Sequence, residues 1–220
     1  MRLKAMAKIN LGLDVLGKRE DGYHEVRMIM QTIRMYDILD IRKTRRPGIV
    51  LTTNLPFIPT DQRNLVYKAA QMLMEEFDVE EGLSIKLRKF IPVAAGMAGG
   101  SSDAAAAFVG VNRMFHLGLT EEQLMERAVK VGADVPYCIM RGTALAEGIG
   151  EKLTRLPEVP KCYVLIGKPG INVSTKTAYE NLNLEGIGKH PDIDGLIGAI
   201  RNNDLYAMAS RMENVDRKST

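Results

Sequence analysis

The sequence predicts an α+β fold, on three observations. Apolar residues alternate with polar ones at Ile9, Leu11, Leu13 and Val15, and again at Leu83, Ile85 and Leu87, which is the period of a half-buried strand. Helical spacing takes over at Leu65, Ala69, Leu73 and Phe77, and at Ala104, Ala107, Phe108, Val111 and Phe115. Between the strand at 83–87 and the helix from 104 lies Pro92-Val93-Ala94-Ala95-Gly96-Met97-Ala98-Gly99-Gly100-Ser101-Ser102, so the local order is strand, glycine-rich loop, helix. Gly96, Gly99 and Gly100 leave few β-carbons in the loop, so backbone N–H groups can approach an anion closely, and the helix N-terminus adds its unsatisfied donors. A serine is available as N-cap, with Asp103 expected in the first turn, where the helix dipole favours an acid. The pattern reads as a phosphate cradle. It is not a Walker loop, since no Gly-Lys-Ser/Thr closes it, and its glycine spacing is not that of a dinucleotide fingerprint. Alone, it also reads as a small-residue turn that lets a helix pack closely on a sheet.

A chain of 220 residues with 45% hydrophobic content is long enough to bury a real core in one or two domains. Charged residues make up 26% in nearly balanced signs, for a net charge of +3, and there is no Trp. A nucleic-acid groove needs clustered cations with aromatic platforms, so nucleic acid is not an expected partner. The one basic cluster, Arg42, Lys43, Arg45 and Arg46, reads as a solvated strand end or loop. Cys138 and Cys162 form no CxxC, which indicates neither zinc nor a disulfide framework, and both read as core residues of a reduced, cytoplasmic protein. No signal-peptide core and no apolar run of membrane-spanning length is present, so no membrane partner is expected.

In chain order, the first strand covers 5–16 and carries Lys8, which alone reads equally as a snorkelling edge-strand lysine. A turn signal at Arg19-Glu20-Asp21-Gly22 precedes Tyr23 and His24, and residues 36–41 form another strand. Asp61 or Asn64 is placed to cap the helix from Leu65. Thr120-Glu121-Glu122-Gln123 has the form of a capping box and starts a helix expected to stop at Gly132. Asp134 then falls between that helix end and a proline-marked strand start at Val135-Pro136, where a carboxylate alone reads first as a turn acid. A strand and turn follow at 143–150, a buried strand at 162–167, a helical segment from Ser174 to Tyr179, and short helices at 196–200 and 205–212.

Taken together, Ala7-Lys8-Ile9-Asn10-Leu11, Asp21-Gly22-Tyr23-His24, Asn64-Leu65, the 92–102 loop, Gly132-Ala133-Asp134-Val135-Pro136 and Pro169-Gly170 resemble the 4-diphosphocytidyl-2-C-methyl-D-erythritol kinases of the non-mevalonate isoprenoid pathway, within the GHMP kinase superfamily. The resemblance runs in order from residue 1 to about residue 215. It implies a two-domain GHMP kinase fold, with an ATP-binding domain of the ribosomal protein S5 domain 2-like type over residues 1–150 and a partial C-terminal domain over 151–220. It implies that Pro92, Val93, Ala94, Ala95, Gly96, Met97, Ala98, Gly99, Gly100, Ser101 and Ser102 bind the phosphates of ATP, accompanied by magnesium (Mg2+), and that Asn64 and Leu65 border the adenosine. Asp134 would be the base that receives the substrate's hydroxyl proton, with Lys8 polarising that hydroxyl. Tyr23 and Tyr179 would stack on the cytosine of a small-molecule cytidine diphosphate substrate, His24 would read its edge, Asn10 would contact the substrate's polyol or phosphate region, and Thr175 would lie along the same channel.

Two departures accompany the resemblance. Ala95, Met97 and Ala98 stand where relatives carry leucine or glycine, and alanine is expected there only with negative φ. A late Gly-Ser-Gly-Pro-Thr-like loop of the superfamily is not reached, so the C-terminal domain reads as incomplete, with a sheet face or edge left uncovered and one cleft wall missing. A homodimer is one way to cover such a face. The alternatives at this stage are another small-molecule GHMP kinase of homoserine or mevalonate type, against which the Tyr23-His24 pair argues, and a catalytically silent nucleotide-binding remnant.

Overall fold

Two long strands organise the chain, β1 (Arg2–Lys18) and β2 (His24–Thr44), joined by a turn in which Gly22 takes φ +85°. The structure is a computed structural model that describes residues 1–168, 170, 181–182 and 186–215. Pro169, the helical segment expected at 174–179, and with it Thr175 and Tyr179, lie outside the described residues. The chain groups into two compact units, the first Met1–Ala7, Ile33–Val93 and Met97–Met140, the second Lys8–Thr32, Ala94–Gly96 and Arg141–Thr220.

In the first unit, β3 (Ile49–Thr53) runs parallel to β4 (Gly82–Arg88), and β4 runs antiparallel to β2 from the Ile38–Arg88 pair to the Thr44–Gly82 pair. The N-terminal end of β1 is tied on by Met1, whose amine donates to the Ile41 carbonyl at 2.7 Å. β4 follows the expected alternation, with Leu83, Ile85 and Leu87 buried. Helices α1 (Leu65–Glu76), α2 (Gly99–Phe115), α3 (Glu121–Ala128) and α4 (Val135–Met140) complete the unit. Asn64 caps α1, its Oδ1 accepting from Val66 N at 2.9 Å, and Thr120 with Gln123 forms the expected capping box on α3. Gly110 lets α2 lie close to the sheet: a Cβ there would stand 2.5 Å from Ile41 Cδ1 and 2.7 Å from Leu3 Cδ1.

In the second unit, β5 (Thr143–Gly148) runs antiparallel to β2 over Val26–Gln31 and to β6 (Lys152–Leu156), while β7 (Glu213–Asn214) runs parallel to β1 at Gly12 and Leu13. Helices α5 (Ile193–Arg201) and α6 (Leu205–Ala209) supply Ile193, Leu196, Ile197, Ile200 and Met208 to a core shared with Leu11, Ile29 and Leu145. Gly12 permits the close approach, since a Cβ would come within 2.9 Å of Ile193 Cδ1.

Six expectations are corrected. Residues 135–140 form a helix, not a strand: Pro136 falls in its first turn, where its missing N–H has no intrahelical partner to lose. Residues 162–166 are exposed and form no strand, with Tyr163 and Leu165 fully solvent-accessible, because among the described residues no strand pairs with them. Cys162 is accordingly exposed, and only Cys138 lies in the core. At the start of α2 no serine caps the helix; Ala98 is the N-cap residue, with no side-chain cap, and Asp103 lies beyond the first turn and is buried. Ala98 also takes φ +54°, as does Ala94, so the expectation of negative φ fails at Ala98.

Two consequences for stability follow. A Cβ at Gly82 would stand 1.7 Å from the Arg46 carbonyl oxygen, which the backbone must yield to accommodate. Gly82→Ala is therefore expected to lower unfolding free energy by about 2–3 kcal/mol in a denaturant titration. Ala98→Gly removes a left-handed alanine that costs about 1–2 kcal/mol, against a smaller gain in unfolded-chain entropy. That substitution is expected to stabilise the fold by about 0.5–1 kcal/mol in the same measurement.

Candidate active site

Within the first unit, the glycine loop leads into α2. The first helical hydrogen bond runs from Ser102 N to the Ala98 carbonyl at 2.8 Å, so the amides of Gly99, Gly100 and Ser101 precede it and are the free donors of a helix start. Gly96 takes φ +69°, and a Cβ there would meet nothing within 4 Å, so this part of the loop is open. Gly99 serves packing, since a Cβ there would lie 3.2 Å from Lys89 Nζ and 3.3 Å from Ile91 Cγ2, whereas one at Gly100 would make only ordinary contact with Leu65 Cδ1 at 3.7 Å. Leu65 is thereby placed beside the loop. Asn64 is buried and engaged as the cap of α1, with its Nδ2 donating to the Pro59 carbonyl at 2.7 Å. Of the remaining loop residues, Met97 is buried, while Val93, Ala94 and Gly96 are exposed.

Ser102 joins the end of the loop to two further elements. Its hydroxyl donates to the Met6 carbonyl at 2.6 Å on β1 and lies 3.4 Å from Cys138 Sγ on α4. Asp134 stands immediately before α4, its carbonyl accepting from Cys138 N at 3.1 Å. Within the first unit, α1 and α4 each pack directly on α2, so Leu65, residues 97–102 of the loop and the Asp134 helix start are carried on one helix and its two neighbours.

A cluster that sequence reasoning missed lies beneath the loop. Lys89 Nζ donates to Asp37 Oδ2 and, at 2.6 Å, to Asp103 Oδ2, and all three side chains are buried. Asp37 Oδ1 also accepts the amides of Phe90 and Ile91, the latter at 2.8 Å. Burial pushes the Asp103 carboxyl up to about 8; Lys89 opposes this shift and the negative charge of Asp37 adds to it. An aspartate set within the alanine run of α2 was the one available signal.

In the second unit, Lys8 is only 4% exposed, and its Nζ donates to Asn10 Oδ1 at 3.0 Å. The two are one strand period apart, so they share a face of β1. Burial of this degree sets aside the reading of Lys8 as a snorkelling lysine with its ammonium in water. Tyr23 and His24 stand at the turn into β2, with Tyr23 exposed and its N–H donating to Asp21 Oδ1 at 3.0 Å. Arg19 braces that turn through Asp21 and Glu25. Asp14, also on β1, is buried and lies 2.7 Å from His190 Nδ1.

Comparison with known proteins bears on this arrangement. Residues 64–142 match the family model described as GHMP kinases N terminal domain. A 4-diphosphocytidyl-2-C-methyl-D-erythritol kinase from Lachnospira eligens is 56% identical over 98% of this chain and 75% of its own length. One of the same name from Lachnoclostridium phytofermentans is 57% identical over 97% of this chain and 73% of its own. The crystal structure of a 4-(cytidine 5'-diphospho)-2C-methyl-D-erythritol kinase superposes with a TM-score of 0.76 at 30% identity, covering 93% of this chain and 72% of that one. With identity of this level spread over most of both chains, the chain belongs to the 4-diphosphocytidyl-2-C-methyl-D-erythritol kinase family of GHMP kinases.

Proposed function

We propose that this chain is an ATP-dependent kinase that phosphorylates the 2-hydroxyl of 4-diphosphocytidyl-2-C-methyl-D-erythritol, on the non-mevalonate route to isoprenoid precursors. The observation that carries this is the 56% identity, across 98% of the chain, with an enzyme named for that substrate. Phosphoryl transfer asks a protein for positioning and charge neutralisation more than for covalent help. In this reading the amides at the start of α2 and the open turn at Gly96 receive the phosphates of ATP, and Asn64 and Leu65 border its adenosine. Asp134 accepts the proton of the attacking hydroxyl. Lys8, held by Asn10, polarises that hydroxyl, a role suited to an ammonium kept almost free of bulk water. Tyr23 and Tyr179 stack on the cytosine, His24 reads its edge, and Asn10 and Thr175 line the channel.

Among the described residues, no group of three or more His, Cys, Asp or Glu side chains is placed to hold a metal ion. In this reading magnesium arrives on the ATP phosphates, since this cation keeps several waters and needs few protein ligands. Bound there, it would neutralise charge on the transferred group. The same reading takes residues 1–150 as the ATP-binding domain and 151–220 as part of a second domain. It takes the enzyme as cytoplasmic, in keeping with two free cysteines, and as a homodimer, which would cover apolar residues such as Tyr163 and Leu165.

The test is ADP release from the 220-residue chain with magnesium and ATP, with and without the cytidine-containing substrate. Substrate-dependent release is expected, and Asp134→Asn is expected to lower kcat by about 10²–10⁴-fold while the variant still binds ATP. Equal release with homoserine or mevalonate would point to a different GHMP kinase, and ATP binding without turnover would point to a nucleotide-binding remnant.

A further inference from the structure

The Lys89 cluster has no part in the chemistry above, yet it touches both ends of the phosphate loop. Its members come from three elements: Asp37 from β2, Lys89 from the residue after β4, and Asp103 from α2. Asp37 takes the amides of Phe90 and Ile91, the two residues before the loop opens at Pro92, and Asp103 directly follows Ser102, where the loop ends. One ammonium therefore joins the entry of the loop to its exit. Lys89 is itself held in place by Asn54, which accepts from its N–H at 2.8 Å and donates to its carbonyl at 3.2 Å. Gly99 leaves the room the ammonium needs, as its missing Cβ would stand 3.2 Å from Nζ.

Two carboxyl groups share one ammonium in a dry site, and their environments differ. Asp37 accepts three hydrogen bonds, as a carboxylate does, from Lys89 and the two amides. Asp103 Oδ1 is buried without a hydrogen-bond partner, so only the Lys89 contact on Oδ2, shared with Asp37, offsets a negative charge there. With its carboxyl pushed up to about 8, Asp103 keeps its proton at neutral pH, and the cluster carries no net charge. The charged groups that act on Asp103 are Lys89 and Asp37. Of the helices packed on α2, α1 buries Val66, Ala69, Ala70, Leu73 and Met74, α3 buries Leu124 and Ala128, and α4 contributes the titratable Tyr137 and Cys138.

We propose that Lys89, Asp37 and Asp103 are positioning residues for the nucleotide, forming a buried clasp that closes the neck of the phosphate loop and holds it at zero net charge to receive the phosphates of ATP. The proposal rests on the reading of this loop as the ATP site. Above about pH 8, loss of the Asp103 proton leaves one net negative charge under the loop, so ATP affinity falls as pH rises through that range. A single charge at this depth is worth roughly three- to tenfold in affinity.

The experiment measures the Kd of magnesium-ATP and of the cytidine-containing substrate by titration calorimetry, on the full chain and on variants checked for folding by circular dichroism. Wild type is expected to bind ATP more weakly at about pH 9 than at about pH 7 by roughly three- to tenfold, and Asp103→Asn is expected to flatten that dependence. The double variant Asp37→Asn with Lys89→Met removes both charges while keeping an acceptor for the Phe90 and Ile91 amides. It is expected to weaken ATP at least about tenfold with the cytidine substrate changed less than about twofold, a split that general loosening of the fold would not produce. An Asp103→Asn chain that keeps the wild-type pH dependence, or a folded double variant with unchanged ATP affinity, overturns the clasp. A wild-type chain that binds no ATP overturns the functional reading itself.

Discussion

A buried ammonium with two carboxyl partners is costly to assemble, because each charge must leave water before it meets its partner. The Lys89 cluster meets that cost with geometry: a shared Nζ, two backbone amides on Asp37, and a proton kept on Asp103. The first unit is arranged around it. β2 supplies Asp37 from the middle of the sheet, β4 ends where Lys89 must turn inward, and α2 starts with Gly99, which lets the helix approach that lysine. The glycine-rich loop is thus suspended between β4 and α2 from a charge cluster that Gly99 makes room for.

The second unit is held by apolar burial. Ile193, Leu196 and Ile200 of α5 press on β1 and β2 through Leu11 and Ile29, and Gly12 lets the helix come down onto the strand. At the rim, Arg27 reaches Asp194 through two hydrogen bonds, at 2.8 and 2.6 Å, but the partner carboxylate is largely exposed, so this pair sets register more than it adds stability. Lys8 and Asn10 lie on the same β1 strand that Gly12 anchors to α5, which fixes their direction through the core.

Local features were legible in the sequence and tertiary ones were not. Asn64 and Thr120 were readable as caps because a cap is decided within four residues, and the alternation of Leu83, Ile85 and Leu87 marked β4 because its two faces differ in burial. Val135 to Met140 misled because all six residues are buried, and an apolar run has no period to separate a short helix from a strand. The run at 162–166 has strand composition, but composition forms a strand only where a ladder partner exists. Asp103 could be read as a first-turn acid because its true partners, Lys89 and Asp37, stand 14 and 66 positions away in a sequence that gives no hint of them. Ala98 adopts a conformation that rules of residue preference assign to glycine, held there by the structure on either side of it.

The pairing of Gly12 with Glu213 has a kinetic meaning. β1 and β2 can pair with one another as they emerge, but β5, α5 and β7, which complete the packing of residues 8–32 in the second unit, all lie beyond Arg141 and are made late. At about 5–20 residues per second that delay is roughly 10–30 s, during which Leu11 and Ile29 lack the α5 residues that complete their cluster. A nascent chain of this topology therefore carries apolar strand surface until its last helices and β7 arrive to cover it.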